Sequence, residues 1–299
     1  MRLSLIIMPH STQSLGNITA NSNASTTFNS TVKAATITTD AGGTTKINGD
    51  ITTAGNQTYN DIVILSNSVN LTTTNNGNLQ FNNAIDGTTA GTENLTLNSG
   101  TGNITFNATV GNTQFLGNII ANSTATTNFN NTVKAATITT DAGGTTKISG
   151  DITTTGDQTY NDIVTLANTV ALSSTNNGNL TFNNTIDGNI DTSAGKLDAS
   201  SSNGDGGAVR IDAAGNITTN NIICSAQITT GKAGAIELTS GGAIDTKSGI
   251  LNSSSVNGAG GEISLNASSK ASPPASPPES PPESPPESPP ESPESRFYV

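Results

Sequence analysis

Acids that recur at a fixed interval are where chemistry in this chain has to be sought, because two carboxylates facing one substrate can share acid and base work. Asp50, Asp61 and Asp86 return as Asp151, Asp162 and Asp187, each 101 residues further on. Asp61 and Asp162 follow Tyr59 and Tyr160 by two residues, and this Asp–Tyr pair is the strongest catalytic candidate on offer. A carboxylate repeated in near-identical units is nevertheless more simply a turn residue than two active sites, so no catalytic residue is assigned. The one histidine, His10, precedes the repeating body, which removes the basis for Ser–His or Cys–His catalysis and for a multi-His metal site. Asp205, in a Gly-rich NGDGG run, suggests calcium, but Lys232 and Ala259 take its place in the next two related segments, and it is read as a turn. No Gly-rich phosphate loop is present, so neither metal nor cofactor is expected. Cys224 is the single cysteine. It can form no intrachain disulfide and is read as a small core hydrophobe.

What positions these residues is a duplication. Thr12–Gly87 and Thr113–Gly188 match without a gap at 59 of 76 positions, which makes the chain a repeat protein before anything else. Only 11% of residues are charged and 3% aromatic, while Thr, Asn, Ser and Gly dominate, a composition that disfavours helix. Regularly spaced Ile, Val, Leu and Phe argue against disorder for residues 12 to about 268. Strands are predicted at 35–38, 45–47, 61–65, 69–72, 78–81, 94–97 and 103–106, separated by turn formers such as Asp-Ala-Gly-Gly and Asn-Asn-Gly. An apolar residue, three mostly polar ones and Val or Ile recur as FNSTV at Phe28, INGDI at Ile47, FNNAI at Phe81 and FNATV at Phe106.

Spread over the 101-residue offset, this pattern predicts about five turns of about 20 residues, the chain consumed by one rung of a parallel β-helix. Mismatches between the repeats mark the outer face: Ile64 becomes Thr165 between apolar 63 and 65, and Gln80 becomes Thr181 beside Phe81 and Phe182. After Gly188 the step becomes 27, through Leu197, Cys224 and Leu251 and through Gly207, Gly234 and Gly261. The fold expected is an all-β, right-handed parallel β-helix of about 20–27 residues per rung. It divides into a leader or first rung (1–11), a body with the duplication (12–190), a 27-residue-step continuation (191–268) and a disordered Ser/Pro/Glu-rich tail (269–299) in which Pro pairs cannot enter a sheet.

A net charge of −11 with 11 Lys and Arg leaves no electrostatic footprint for nucleic acid or an anionic membrane, and no segment approaches the length of a membrane helix. The AIDG and TIDG segments, the NGNLTF rung and the GGAVRI, AGAIEL and GGEISL units resemble the rod of filamentous-haemagglutinin-like proteins, bacterial exoproteins of two-partner secretion. The resemblance covers about residues 12–268. It implies a non-catalytic rod at the cell surface or outside the cell, serving attachment, aggregation or biofilm contact. Its implied partners are surface glycans or proteins of a host or neighbouring cell, an outer-membrane transporter, and further copies of itself, end to end or side by side. Two departures set it apart: residues 1–11 are too short and too broken by Pro9 for a convincing signal peptide, and no Asn-Pro-Asn secretion motif is seen. The chain is therefore read as a fragment of such an exoprotein. The alternatives are a polysaccharide-binding or polysaccharide-cleaving β-helix, and a Thr-rich ice-binding solenoid built on Thr ranks such as TITTD. About fifteen Asn-x-Ser/Thr sites, among them Asn17, Asn29, Asn94, Asn103 and Asn107, are potential glycan acceptors, read here as corner residues that bond the next rung.

Overall fold

The computed structural model describes residues 2–5, 14–166, 170–176, 178–184, 190–191, 196–200, 205–213, 217–218, 221–226, 231–246 and 249–267. His10, Asp187 and the Pro-rich tail lie outside them. Every regular element among the described residues is a β-strand, and their strand pairings are parallel, so the strands stack as a β-solenoid. Short Thr-, Ile- and Val-rich strands suit this arrangement: alternate side chains fill the lumen and the others form a polar skin.

Three ladders run along the body. On the first face, 32–34 pairs with Ile51–Thr53, then Val69–Thr73, Leu95–Gly100, Leu116–Ser123 and the second half of Val133–Thr140. It goes on through Gln158–Tyr160, Leu180–Phe182, Val209–Ala213 and Ile236–Ser240 to Ile263–Ala267. On the second face, 37–38 leads through Gln57–Tyr59, Leu79–Phe81, Ile104–Phe106, Thr126–Phe129 and Thr145–Ile148 to Ile163–Leu166. The third begins with Arg2–Leu5 against Ser25–Phe28 and passes Thr44–Ile47, Ile62–Leu65, Ile85–Gly87, Val110 and Val133. It continues through Ile152–Thr154 and Leu172–Ser174 to Leu251–Asn252. Arg2–Leu5 thus enter the lowest rung among the described residues.

The recurring five-residue motif is a corner. Phe28 closes a third-face strand and Val32 opens a first-face strand, both fully buried, with the three polar residues turning between them. Between Phe81 and Ile85 the same motif turns from the second face to the third. Inward and outward assignments hold: Val63 and Leu65 are buried and Ile64 is not, while Gln80 lies outside buried Leu79 and Phe81.

The rotational phase of the repeats differs from the sequence expectation. From 32–34 to 133–135 the chain makes fourteen face-to-face steps, and three steps complete a turn, so the 101-residue offset spans 4⅔ turns rather than five. Val32 stands on the first face and Val133 on the third; Ile37 stands on the second and Ile138 on the first; Val63 stands on the third and Val164 on the second. The reason is rung length. Corner insertions such as 88–93 lengthen individual turns, so the residue count per turn is not constant.

Lumen chemistry follows this phase. Tyr59, Phe81, Phe106 and Phe129 stack on the second face at centroid spacings of 5.1 to 5.3 Å, close to the separation of adjacent strands. The second repeat's pair, Tyr160 and Phe182, stacks on the first face at 5.1 Å.

Beyond residue 190 the 27-residue step is kept on the first face, where Val209, Ile236 and Ile263 are partners. On the third face it is not: Leu197 pairs with Ile222, and Ile222 with Leu251. Cys224 is therefore not opposite the two leucines, because the middle rung has a shorter corner before this strand and a longer one after it. A shift of two residues keeps the same side inward, and Cys224 remains fully buried. Glycine is required where rungs touch: a Cβ on Gly102 would stand 2.2 Å from the Gly77 carbonyl oxygen, and one on Gly234 2.1 Å from that of Gly207.

Candidate functional site

The recurring carboxylates among the described residues bond the backbone or side chains of a neighbouring rung. Asp61 is fully buried and accepts from the Gly43 amide at 2.7 Å and the Thr45 hydroxyl at 3.0 Å. Asp162 repeats this with Gly144 at 2.9 Å and Thr146 at 2.8 Å. Burial pushes the Asp162 carboxyl above its ordinary value, Asp141 adds to that, and its two hydrogen bonds oppose it. The tyrosines are engaged elsewhere: Tyr59 donates to Gln57 Oε1 at 2.8 Å and Tyr160 to Gln158 Oε1 at 2.9 Å. Burial pushes both phenols far above their ordinary value. Asp50 accepts from the Asn70 amide at 2.7 Å, Asp151 from that of Ala171 at 2.8 Å, and Asp86 from those of Thr113 and Gln114. Because of the rotation, Asp61 sits between the second and third faces and Asp162 between the first and second. These acids occupy turn positions, and the two repeats do not combine them into one cluster.

Asp205 is exposed and accepts from the Lys232 amide at 2.7 Å, a turn contact between successive 27-residue units. No group of three or more His, Cys, Asp and Glu able to hold a metal occurs among the described residues. Burial pushes the Cys224 thiol up to about 12, leaving almost no thiolate at neutral pH.

The Asn side chains link rungs. Asn82 donates to Asn60 at 2.6 Å, Asn107 to Asn82 at 2.7 Å and Asn130 to Asn107 at 2.8 Å, one residue beyond the aromatic stack. Asn17 accepts from Thr36, Asn29 from Asn48, Asn94 from the Asn118 amide and Asn103 from the Thr126 amide. A glycan would attach to Nδ2, the atom through which Asn107 bonds Asn82, whereas Asn17, Asn29, Asn94 and Asn103 bond the next rung through Oδ1. Thr ranks also change face: Thr52 and Thr72 succeed Lys33 on the first face, whereas Thr153 and Ser173 succeed Lys134 on the third. A flat ice-matching array needs one uninterrupted face, so this phase weighs against it.

One feature outside the lumen stands apart. Every aromatic side chain among the described residues is buried in the core except Phe115, which is half-exposed. With Lys134, Ala135, Thr153, Thr154, Thr155 and Thr175 it lines a cleft of about 100 Å³. Its ring leans over Gly91, where a Cβ would stand 2.7 Å away, and its carbonyl accepts from the Gly91 amide at 2.7 Å. The corresponding residues of the first repeat are Ser14, Lys33, Ala34, Thr52, Thr53, Ala54 and Thr74, so only Phe115 and Thr155 are new. Both changes fall on one cleft. Sequence reasoning treated mismatches as surface drift and overlooked Phe115; the exchange of Ser for an aromatic residue was the signal.

No family model, no curated protein and no solved structure matches the chain.

Proposed function

We propose that the chain is a non-catalytic, adhesin-like structural rod, exposed at the cell surface or secreted, that serves attachment, aggregation or biofilm contact. The observation that carries this reading is the use of the recurring acids as turn acceptors while the side chains left outward form a polar Thr/Asn skin. A rod of this kind presents side faces at fixed spacing and needs no reacting centre. The resemblance of its rungs to filamentous-haemagglutinin-like exoproteins points the same way, and an outer-membrane transporter would be its export partner. No helix among the described residues is long and apolar enough to cross a membrane.

The test is attachment of cells or beads coated with the full chain to host-cell and bacterial surfaces, beside an unrelated acidic protein of similar size. Adhesion above that control supports the rod reading; equal adhesion removes it. The Phe115 cleft favours a second reading, polysaccharide binding, because a half-exposed ring flanked by hydroxyls and an ammonium can stack on and hydrogen-bond a sugar. Phe115→Ser restores the first repeat's residue and so a tolerated side chain. Loss of binding on a glycan array in this variant would favour that reading, and turnover of an acidic polysaccharide by the wild-type chain would displace both.

A further inference from the structure

Among the described residues, no strand covers the upper end of the solenoid body. Ile263 and Leu265 lie in register above Ile236 and Leu238, which are buried, yet they are 43% and 50% exposed. Ile250 and Val256 of the same last turn are 64% and 60% exposed. The outer edge of Ile263–Ala267 carries no further strand among the described residues. The Ser-Pro-Pro run that starts at Ser272 lacks the N–H groups to continue a ladder. At the lower end, Leu15–Ala20 crosses from the first face to the second, and Leu15 is 42% exposed.

We infer that the upper end of one rod receives the lower end of a second copy, turned by one third of a turn. The stagger of the strands dictates the turn. At the upper end the last strands climb from Ile244–Asp245, which by its place in the chain between Ile236–Ser240 and Leu251–Asn252 stands on the second face, through Leu251–Asn252 on the third to Ile263–Ala267 on the first. At the lower end they climb from Arg2–Leu5 on the third face to Leu15, on the first, and Ile18, on the second. Joined face to like face, the two staircases leave one position a strand short. Turned so that the incoming third, first and second faces stand over the second, third and first, every strand rests one rung above its neighbour.

The chain already contains this joint. The same rotation relates its two repeats, and Leu116–Ser123, the second repeat's version of Leu15–Ala20, has Leu116 on the third face and Ile119 on the first. There Ile119 and Ala121 pair with Leu95 and Leu97 below. The incoming Ile18 and Ala20 would take the same places above Ile263 and Leu265. A head-to-tail contact does not close on itself, so it builds open filaments. This inference stands independently of the adhesive reading.

The test uses the full chain and its variants Leu15→Lys and Leu265→Lys, whose altered side chains are already about half exposed, with circular dichroism to verify the β fold. Sedimentation velocity over a concentration series should show wild-type chain growing beyond a dimer and each variant remaining monomeric. An equimolar mixture of the two variants should give a dimer that grows no further, since one free upper end meets one free lower end. A wild-type chain that stays monomeric at about 100 µM overturns the inference, given that specific interfaces commonly reach micromolar affinity. Dimerisation of Leu15→Lys alone would show an upper-to-upper contact instead, and unchanged assembly of both variants would place the contact on a side face; either result also overturns it.

Discussion

Replacing Tyr59 by Phe removes one oxygen from the lumen and leaves the ring stack in place. The ring lies 5.1 Å from that of Phe81 at an interplanar angle of 11°, a contact that Phe preserves. The hydroxyl donates to Gln57 Oε1 at 2.8 Å, and the Gln57 amide nitrogen donates to the carbonyl of Thr72 at 3.0 Å and the hydroxyl of Thr53 at 3.2 Å. Both side chains are fully buried. Tyr59→Phe therefore strands a buried acceptor, which costs about 1–3 kcal/mol. Gln57→Leu strands the phenol instead and also removes the donor to Thr72 and Thr53, so it costs more than Tyr59→Phe. The double variant strands neither, so it should lose less than the two single losses together, by a coupling of about 1–2 kcal/mol. Urea unfolding followed by circular dichroism reads the totals. Hydrogen exchange at the Thr58 and Gln80 amides localises them, since long repeat arrays can unfold in stages. Tyr160→Phe should cost the same, because Tyr160 donates to Gln158 at 2.9 Å in an equivalent lumen on another face. A neutral Tyr59→Phe, or losses that simply add, would refute the reasoning.

Cys224, fully buried with its thiol pushed up to about 12, should resist alkylation in the folded chain and react at once in denaturant, as mass spectrometry of the intact protein would show. Gly102→Ala should destabilise by about 1–3 kcal/mol through overpacking against Gly77, whereas Gly16→Ala, with nothing within 4 Å of its Cβ, should be neutral or stabilising in the same melts. For Glu93, burial raises the carboxyl pKa, but hydrogen bonds from the Thr88 hydroxyl at 2.5 Å and the Thr89 amide outweigh it and hold the value below the ordinary 4.5. A lowered folded value contributes stability above the unfolded pKa and loses it as pH falls through the folded one. Amide exchange in 88–92, corrected for its intrinsic rate, should accelerate below about pH 4.5 in wild type and be fast throughout in Glu93→Gln.

Much of the fold was legible because strand side chains alternate with a period of two. That rule identified Val63 and Leu65 as lumen residues from a single mismatch at Ile64, and it placed Phe81 inside beside variable Gln80. The turn role of Asp61 and Asp162 was legible too, since identical rungs have identical corners. Phe115 was not, because its ring gains meaning only when Lys134 and Thr153–Thr155 arrive above it from one and two rungs later.

The sequence by itself determined the rung chemistry: apolar residues at alternate positions, polar corners, and a unit repeated every 101 residues. Only the tertiary structure decided which way each repeat faces. In or out is settled within a strand, by the geometry of adjacent residues. The face is settled by the sum of all corner lengths before it, and insertions such as 88–93 make that sum fall a third of a turn short of five. Equal sequences are thereby displayed in different directions, and the same phase shift is the one that would let the ends of two rods meet.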